Sequence, residues 1–182
     1  HNCLVGSEMC IRDSLNTITT AVPFLSITPD SRAGAMGESG VATSPDLYSI
    51  FWNASKLAFM EDNSGFSISY TPWLSQLVPD ISLAYLTGYS KINETSAWSA
   101  SMRYFSLGNI QFTDETGENL GSYDPNEFAV NIGYGMKFND NFSGGLVMRY
   151  IYSNLTGNQY VAGELTEPGK GFAVDLSTYY QT

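Results

Sequence analysis

From Ser64 onward, large apolar residues recur at alternate positions in six runs separated by polar links. The clearest stretch sets Phe128, Val130, Ile132, Tyr134, Met136 and Phe138 against Ala129, Asn131, Gly133, Gly135 and Lys137. A strand turns successive side chains to opposite faces, so such a run builds one apolar face and one small or polar face. Five more runs behave alike: Phe66, Ile68, Tyr70; Ile81, Leu83, Tyr85, Tyr89; Trp98, Ala100, Met102, Tyr104; Phe142, Leu146, Met148, Tyr150, Tyr152; and Phe172, Val174, Leu176. A membrane-crossing helix needs an apolar window of about 18 residues, and none is present. The chain is therefore an all-β protein over most of its length.

Alternation does not say which face is buried. A soluble sandwich turns its apolar face inward, and a transmembrane barrel turns it outward to lipid. Composition favours the barrel. Charged residues make up 14% of the chain, against about 25% in an ordinary soluble domain. Tyr (12) and Phe (10) are abundant and recur at the ends of runs, as in the aromatic girdles of outer-membrane barrels. The opposite face carries Gly, Ser and Ala where a soluble sheet would carry Lys, Glu and Thr. Disorder is excluded by the aromatics and the low charge.

The links between runs point the same way. Lys91–Glu94 and Asn139-Asp140-Asn141 are short, and Pro72–Asp80, Thr113–Asn126 and Asn154–Lys170 are longer. Short turns on one side and long loops on the other are the asymmetry of an outer-membrane barrel. The longer links hold Asp114, Glu115, Glu118, Asp124, Glu164 and Glu167, so the acidity is expected at the outer end. The net charge of −10 and the absence of a basic stripe exclude nucleic acid as a partner.

Upstream the character changes. Residues 1–14, HNCLVGSEMCIRDS, hold both cysteines and the lone His1, resemble translated adaptor sequence, and are set apart as a non-native segment. Residues 15–63 form a distinct N-terminal segment without clear alternation, and 64–182 the alternating segment read as a partial barrel. Within the former, Ser44-Pro45-Asp46 marks a helix start, and Leu47, Ile50, Phe51, Ala54, Leu57 and Ala58 follow at helical spacing. A loop and one or two short helices are expected there. The chain lacks a signal peptide and stops within an alternating run, LSTYYQT, so it is expected to be a fragment cut at both ends.

Two residues on the small face have a specific expectation. Arg149 and Asp175 lie about equally far below the Asn154–Lys170 link. Pairing of their strands brings them together as an ion pair inside the barrel, or leaves two separately hydrated charges in a wet lumen. Catalysis has no foothold. Without His1 no base stands beside a nucleophilic Ser, no metal site of His or Cys can form, and no cofactor is implied. Gly133-Tyr134-Gly135 is read as small lumenal residues, and Gly169-Lys170-Gly171 lacks the spacing of a phosphate loop. The chain is not read as an enzyme.

Three segments carry a family resemblance: ITPDSRAGAMGESGVATSPDLYSIFWNASKLAF, SYTPWLSQLVPDISLAYLTGYSK and SASMRYFSLGNIQF. Over Thr17 to Thr182 they closely resemble the PorV family, outer-membrane barrels of the Bacteroidetes type IX secretion system. The glycine-rich segment and the Trp52-Asn53 plug motif resemble, more distantly, FadL-type fatty-acid transporters. The resemblance implies a barrel of about fourteen strands, of which about six lie in this chain, with Phe24–Asn63 as a lumenal plug. It implies an outer-membrane protein that receives secreted cargo by its C-terminal signal domain. Its partners would be that cargo, the translocon, the surface attachment complex and outer-membrane lipid. A FadL-like transporter of a hydrophobic small molecule is the alternative, and a soluble β-sandwich adhesin the third reading. One departure stands out: the family often reads Trp-Asn-Pro-Ala where this chain has Trp52-Asn53-Ala54-Ser55, which removes a fixed φ and a helix-start signal.

Overall fold

The computed structural model describes residues 22–72, 80–113, 119–155, 160–161, 164–165 and 167–181. Residues 1–14 and the acidic Asp114, Glu115 and Glu118 lie outside the described residues. The described chain opens with short helical turns: a 3-10 turn at Pro23–Ser26, α1 at Ser31–Ala35, α2 at Ser49–Trp52, and a second 3-10 turn at Ala54–Phe59. Strands follow: β1 (Ser64–Pro72), β2 (Ile81–Asn93), β3 (Ser96–Leu107), β4 (Ile110–Thr113), β5 (Asn119–Tyr123), β6 (Asn126–Lys137), β7 (Phe142–Asn154), β8 (Tyr160–Val161), β9 (Glu164–Leu165) and β10 (Gly169–Tyr180).

All six alternating runs are strands of one antiparallel sheet, ordered β1-β2-β3-β6-β7-β10. The sheet is an open wall with β1 and β10 at its edges, the fold class of an outer-membrane β-barrel that is not closed within this chain. Its short turns, Asn93–Ser96 and Lys137–Phe142, lie at one end. The connections β1–β2, β3–β6 and β7–β10 all lie at the other. Two of those longer links are not simple loops: β4 pairs with β5, and β8 with β9, as small hairpins beyond the wall.

Burial decides which face is inside. On β3, β6, β7 and β10 the large apolar residues are the exposed ones: Ile132 is 56% exposed, Met148 59% and Phe172 84%, whereas Ala97 and Ala129 are fully buried. A water-soluble monomer rarely exposes an apolar patch beyond a few hundred Å². Here the patch runs across the wall, so hydrocarbon is its solvent.

The patch is graded as a bilayer requires. Tyr70, Tyr104, Phe128, Tyr150, Tyr152 and Phe172 cluster near the long-link end, where Phe128 stacks on Tyr152 with centroids 4.9 Å apart and Tyr150 meets Phe172 at 5.0 Å. Phe66, Trp98, Tyr134, Phe142 and Tyr180 form a second belt near the short turns. Aliphatic side chains fill the space between them. On β7 the outermost rings, Phe142 and Tyr152, are ten residues apart, roughly 34 Å of strand, which a tilt of about 40° reduces to about 26 Å of height.

β2 departs from the expected pattern. Leu83, Tyr85 and Tyr89 point inward and are buried, and Ala84, Gly88 and Ser90 face outward together with a single large residue, Leu86. The reason is the plug. Leu47 and Tyr48 lie against this strand, Tyr48 stacking on Tyr85 with centroids 5.9 Å apart, so β2 meets the plug with large side chains.

The expected helix is also divided. Asp46 accepts from the Tyr48 amide and the Ser49 hydroxyl, both at 3.1 Å, in the turn that leads into α2. Asn53 then leaves helical geometry (φ −163, ψ 99), and the chain restarts as the 3-10 turn. The positions expected to pack still do so: Ile50, Ala54, Leu57 and Ala58 are all buried.

Candidate functional site: the plugged lumenal face

The inward face of the wall is small so that a chain segment can lie on it. A Cβ at Gly135 would stand 2.6 Å from the Ala54 carbonyl oxygen, and one at Gly133 3.1 Å from Ile50. One at Gly145 would collide with the Ser55 amide. These glycines form the seat of α2 and the turn after it. The Gly133-Tyr134-Gly135 run is a docking surface for backbone, with Tyr134 turned out to lipid.

Hydrogen bonds lock the seat. The Ser143 hydroxyl donates to the Ser55 carbonyl at 2.8 Å, the Ser55 amide to Ser177 Oγ at 3.3 Å, and Asn53 Nδ2 to the Thr178 carbonyl at 3.1 Å. Thr87 Oγ1 donates to the Leu47 carbonyl at 3.1 Å, and the Tyr48 hydroxyl meets Ser67 Oγ at 2.8 Å. Strands β1, β2, β7 and β10 thus hold the plug by hydrogen bonds, and β6 holds it by shape.

The plug motif works through both residues. Asn53 caps the 3-10 turn by accepting from the Ser55 amide at 3.1 Å and also binds the Ser55 hydroxyl. That cap supplies the helix start that a proline would otherwise mark. Trp52 lies flat against Gly40, where any Cβ would clash with its indole, and meets Phe51 edge-on at 4.7 Å. Lys56 is fully buried beside it and donates to the Gly40 carbonyl at 2.7 Å and Thr43 Oγ1 at 3.2 Å. Burial pulls its ammonium pKa down, and Asp46 opposes that shift. These contacts fasten the Gly40–Thr43 bend to the turn.

Arg103 holds the first part of the plug. Only 2% exposed, it donates from Nη1 to the Phe24 carbonyl at 2.8 Å and the Leu25 carbonyl at 2.9 Å. Its guanidinium lies 4.6 Å from the Phe51 ring centroid and 5.4 Å from that of Tyr85. The alternation of Trp98, Ala100, Met102 and Tyr104 sets Arg103 on the opposite, small face but assigns it no role. Its partners are backbone carbonyls nearly eighty positions earlier, which no local signal could reveal.

Just above the glycine seat a polar ladder crosses four strands. Arg149 Nη2 stands 3.2 Å from Asp175 Oδ2, so the structure brings together the two charges singled out in the sequence. They are diagonal neighbours, Arg149 opposite Ala173 and Asp175 opposite Val147. Arg149 Nε also donates to Asn131 Oδ1 at 2.8 Å, and Asn131 Nδ2 donates to Ser101 Oγ at 2.9 Å. Ser101, Asn131 and Arg149 occupy successive register positions on β3, β6 and β7. Nearer the long-link end, Ser153 donates to the buried Glu127 carboxylate at 2.6 Å.

Of the acidic outer positions, Asp124 and Glu167 are exposed, and Asp124 accepts from Asn109 Nδ2 at 3.0 Å. Glu164 belongs to β9. Among the described residues no three His, Cys, Asp or Glu gather as a metal site would require.

A wall that is apolar outside, small and polar inside, and filled by its own N-terminal segment defines the plugged outer-membrane β-barrels. More narrowly, the chain belongs to the PorV family: residues 11–182 match the family described as "Type IX secretion system protein PorV". The match includes Ile11–Ser14. It is a family of secretion-system components and not of enzymes. No curated protein matches the chain.

Proposed function

We propose that this protein acts in the outer membrane as the receiving component of type IX secretion. It takes secreted proteins by their C-terminal signal domain as they leave the translocon and passes them to the surface attachment complex. The observation that carries this reading is the separation of the wall's two ends. All three longer connections, two of them extended by hairpins, share the end opposite the short turns. Acidic residues concentrate there, and a β-domain could dock on hairpin edges of that kind.

The plug supports handling of cargo at the rim in preference to passage through this lumen. It is seated at van der Waals distance on Gly133, Gly135 and Gly145, and that stretch leaves no gap for an acyl chain. The test is excision of residues 114–118 and, separately, of 156–159, each replaced by a two-residue turn. Cargo is expected to be retained in the cell while the barrel still reaches the outer membrane. Unchanged secretion by both variants would overturn the proposal, as would a stoichiometric hydrophobic ligand that co-purifies and is displaced by plug mutations.

A further inference from the structure

Asn53 reaches beyond the lumenal face of the wall. Its side chain is buried and fully engaged: Oδ1 accepts from the Ser55 amide and hydroxyl, and Nδ2 donates to the Val41 carbonyl at 3.3 Å and the Thr178 carbonyl at 3.1 Å. The last contact differs in kind, because the Thr178 carbonyl belongs to the hydrogen-bond ladder of the wall itself.

In an antiparallel sheet a residue turns its N–H and C=O to the same side, and consecutive residues turn to opposite sides. The Phe138 amide donates to the Phe142 carbonyl at 2.9 Å, so the even-numbered residues of β7 face β6 and the odd-numbered ones face β10. The Gln181 amide donates to the Asn141 carbonyl at 2.8 Å, in the register that also sets Tyr179 against Ser143 and Ser177 against Gly145. Odd-numbered residues of β10 therefore face β7. Leu176, Thr178 and Tyr180 turn their backbone groups the other way, to the edge where no described strand pairs.

Backbone groups left bare at such an edge are too costly in hydrocarbon, so in the closed barrel a further strand lies against β10. The plug stands at the rung that strand would make with Thr178. It also grips β10 on either side of that residue: Ser177 Oγ accepts from the Ser55 amide at 3.3 Å, and Tyr179 meets Phe59 edge-on with ring centroids 5.7 Å apart. An aspartate at position 53 would cap the turn equally well but could not donate to Thr178. We propose that the Thr178 carbonyl is a shared acceptor of plug and wall. With the plug seated it accepts from Asn53, and the neighbouring strand leaves that rung unmade. With the plug withdrawn, an amide of the neighbouring strand replaces Asn53 and the seam closes. Seating of the plug thereby sets the strength of one seam of the barrel, level with the glycine seat. This device is independent of the route that cargo takes and requires only that the barrel is closed.

The test is residue-resolved amide exchange on the full-length protein in lipid nanodiscs, read by electron-transfer fragmentation. Along the strand that pairs with β10, the amide opposite Thr178 should exchange about tenfold faster than those opposite Leu176 and Tyr180, the factor that corresponds to one net hydrogen bond. In Asn53→Asp that amide should slow to the rate of its neighbours. Ser177→Ala removes a plug contact on the lumenal face and leaves Asn53 in place, so the fast amide should persist, which separates the Thr178 contact from general loosening of the plug. Uniform protection along that strand in the unsubstituted protein would overturn the proposal, because the oxygen would then accept from both donors; that measurement needs no variant to fold. A fast amide that persists in Asn53→Asp would overturn it as well. Rapid exchange of the Leu176, Thr178 and Tyr180 amides themselves would show that no strand pairs with β10, and the proposal would then fall together with the closed barrel.

Discussion

Replacement of Gly135 by alanine tests the plugged-wall account at a single atom. The new Cβ would lie 2.6 Å from the Ala54 carbonyl oxygen, about 0.8 Å short of the 3.4 Å at which ordinary contact begins. The obstruction is backbone, so no rotamer change relieves it, and the seat must open. A gap of that size forfeits a quarter to a half of each dispersion contact across it. The contacts at stake are those of Ile50, Ala54 and Leu57, all buried. Overpacking of this kind costs about 1–3 kcal/mol, and the two hydrogen bonds of Ser55 to Ser143 and Ser177 would lengthen as well. Alanine gains about 0.5–1 kcal/mol over glycine within a regular element. The net loss is about 2 kcal/mol, or roughly thirtyfold in the population with an open plug. Amide exchange at Ser55 and Leu57, read by mass spectrometry on membrane-inserted protein, should speed up by that factor. Gly171→Ala is the control, because a Cβ there meets nothing within 4 Å. It should leave exchange unchanged or slightly slower. Equal exchange in Gly135→Ala and Gly171→Ala would refute the reasoning.

Other expectations follow from the same face. Arg103→Ala removes two charge-assisted bonds and the stacking over Phe51, and should cost about 3 kcal/mol in chemical unfolding; Arg103→Lys should recover less than half, because an ammonium cannot serve both carbonyls and lie flat on the ring. Asp175→Ala should cost under about 1 kcal/mol, since that side chain is half-exposed, whereas Arg149→Ala also frees Asn131 and should cost more; the same unfolding series ranks them. Asn53→Ala should destabilise the plug by about 1–2 kcal/mol through loss of its cap, seen as faster proteolysis between Asn53 and Met60. The Lys56 ammonium has a folded pKa below its unfolded one, so the unfolded state binds more protons between the two values. Plug protection should therefore rise with pH across that window, and Lys56→Met should flatten the rise.

Much of the wall was legible because a period of two needs no partner to be recognised. Runs such as Phe128–Phe138 and Phe142–Tyr152 specify both a strand and its two faces. Alternation does not, however, say which face is inside. On β2 that was settled by Leu47 and Tyr48, some forty positions earlier, which turn Leu83, Tyr85 and Tyr89 inward. The Arg149–Asp175 pair could be anticipated because a single link joins its strands. Extension of the ladder to Asn131 and Ser101 depends on the registers of β3 with β6 and β6 with β7, and no sequence rule fixes the first of these across a long link. The helical pattern of Leu47–Ala58 found the right buried residues. It missed the break at Asn53, where the side chain bonds to Val41, Thr178 and Ser55 and pulls the backbone out of the helix.

The most direct test of the central claim is a spin-label scan of β6 from Ala129 to Met136 in bilayers, reading collision with oxygen against collision with a water-soluble nickel chelate. The account predicts a period of two. Val130, Ile132, Tyr134 and Met136 should collide with oxygen as lipid-exposed sites, and Ala129 and Asn131 should be shielded on the inner face; Gly133 and Gly135, where a label would displace the plug backbone, are left out of the scan. Nickel access at Ile132 and Tyr134, or oxygen access without alternation, would contradict it.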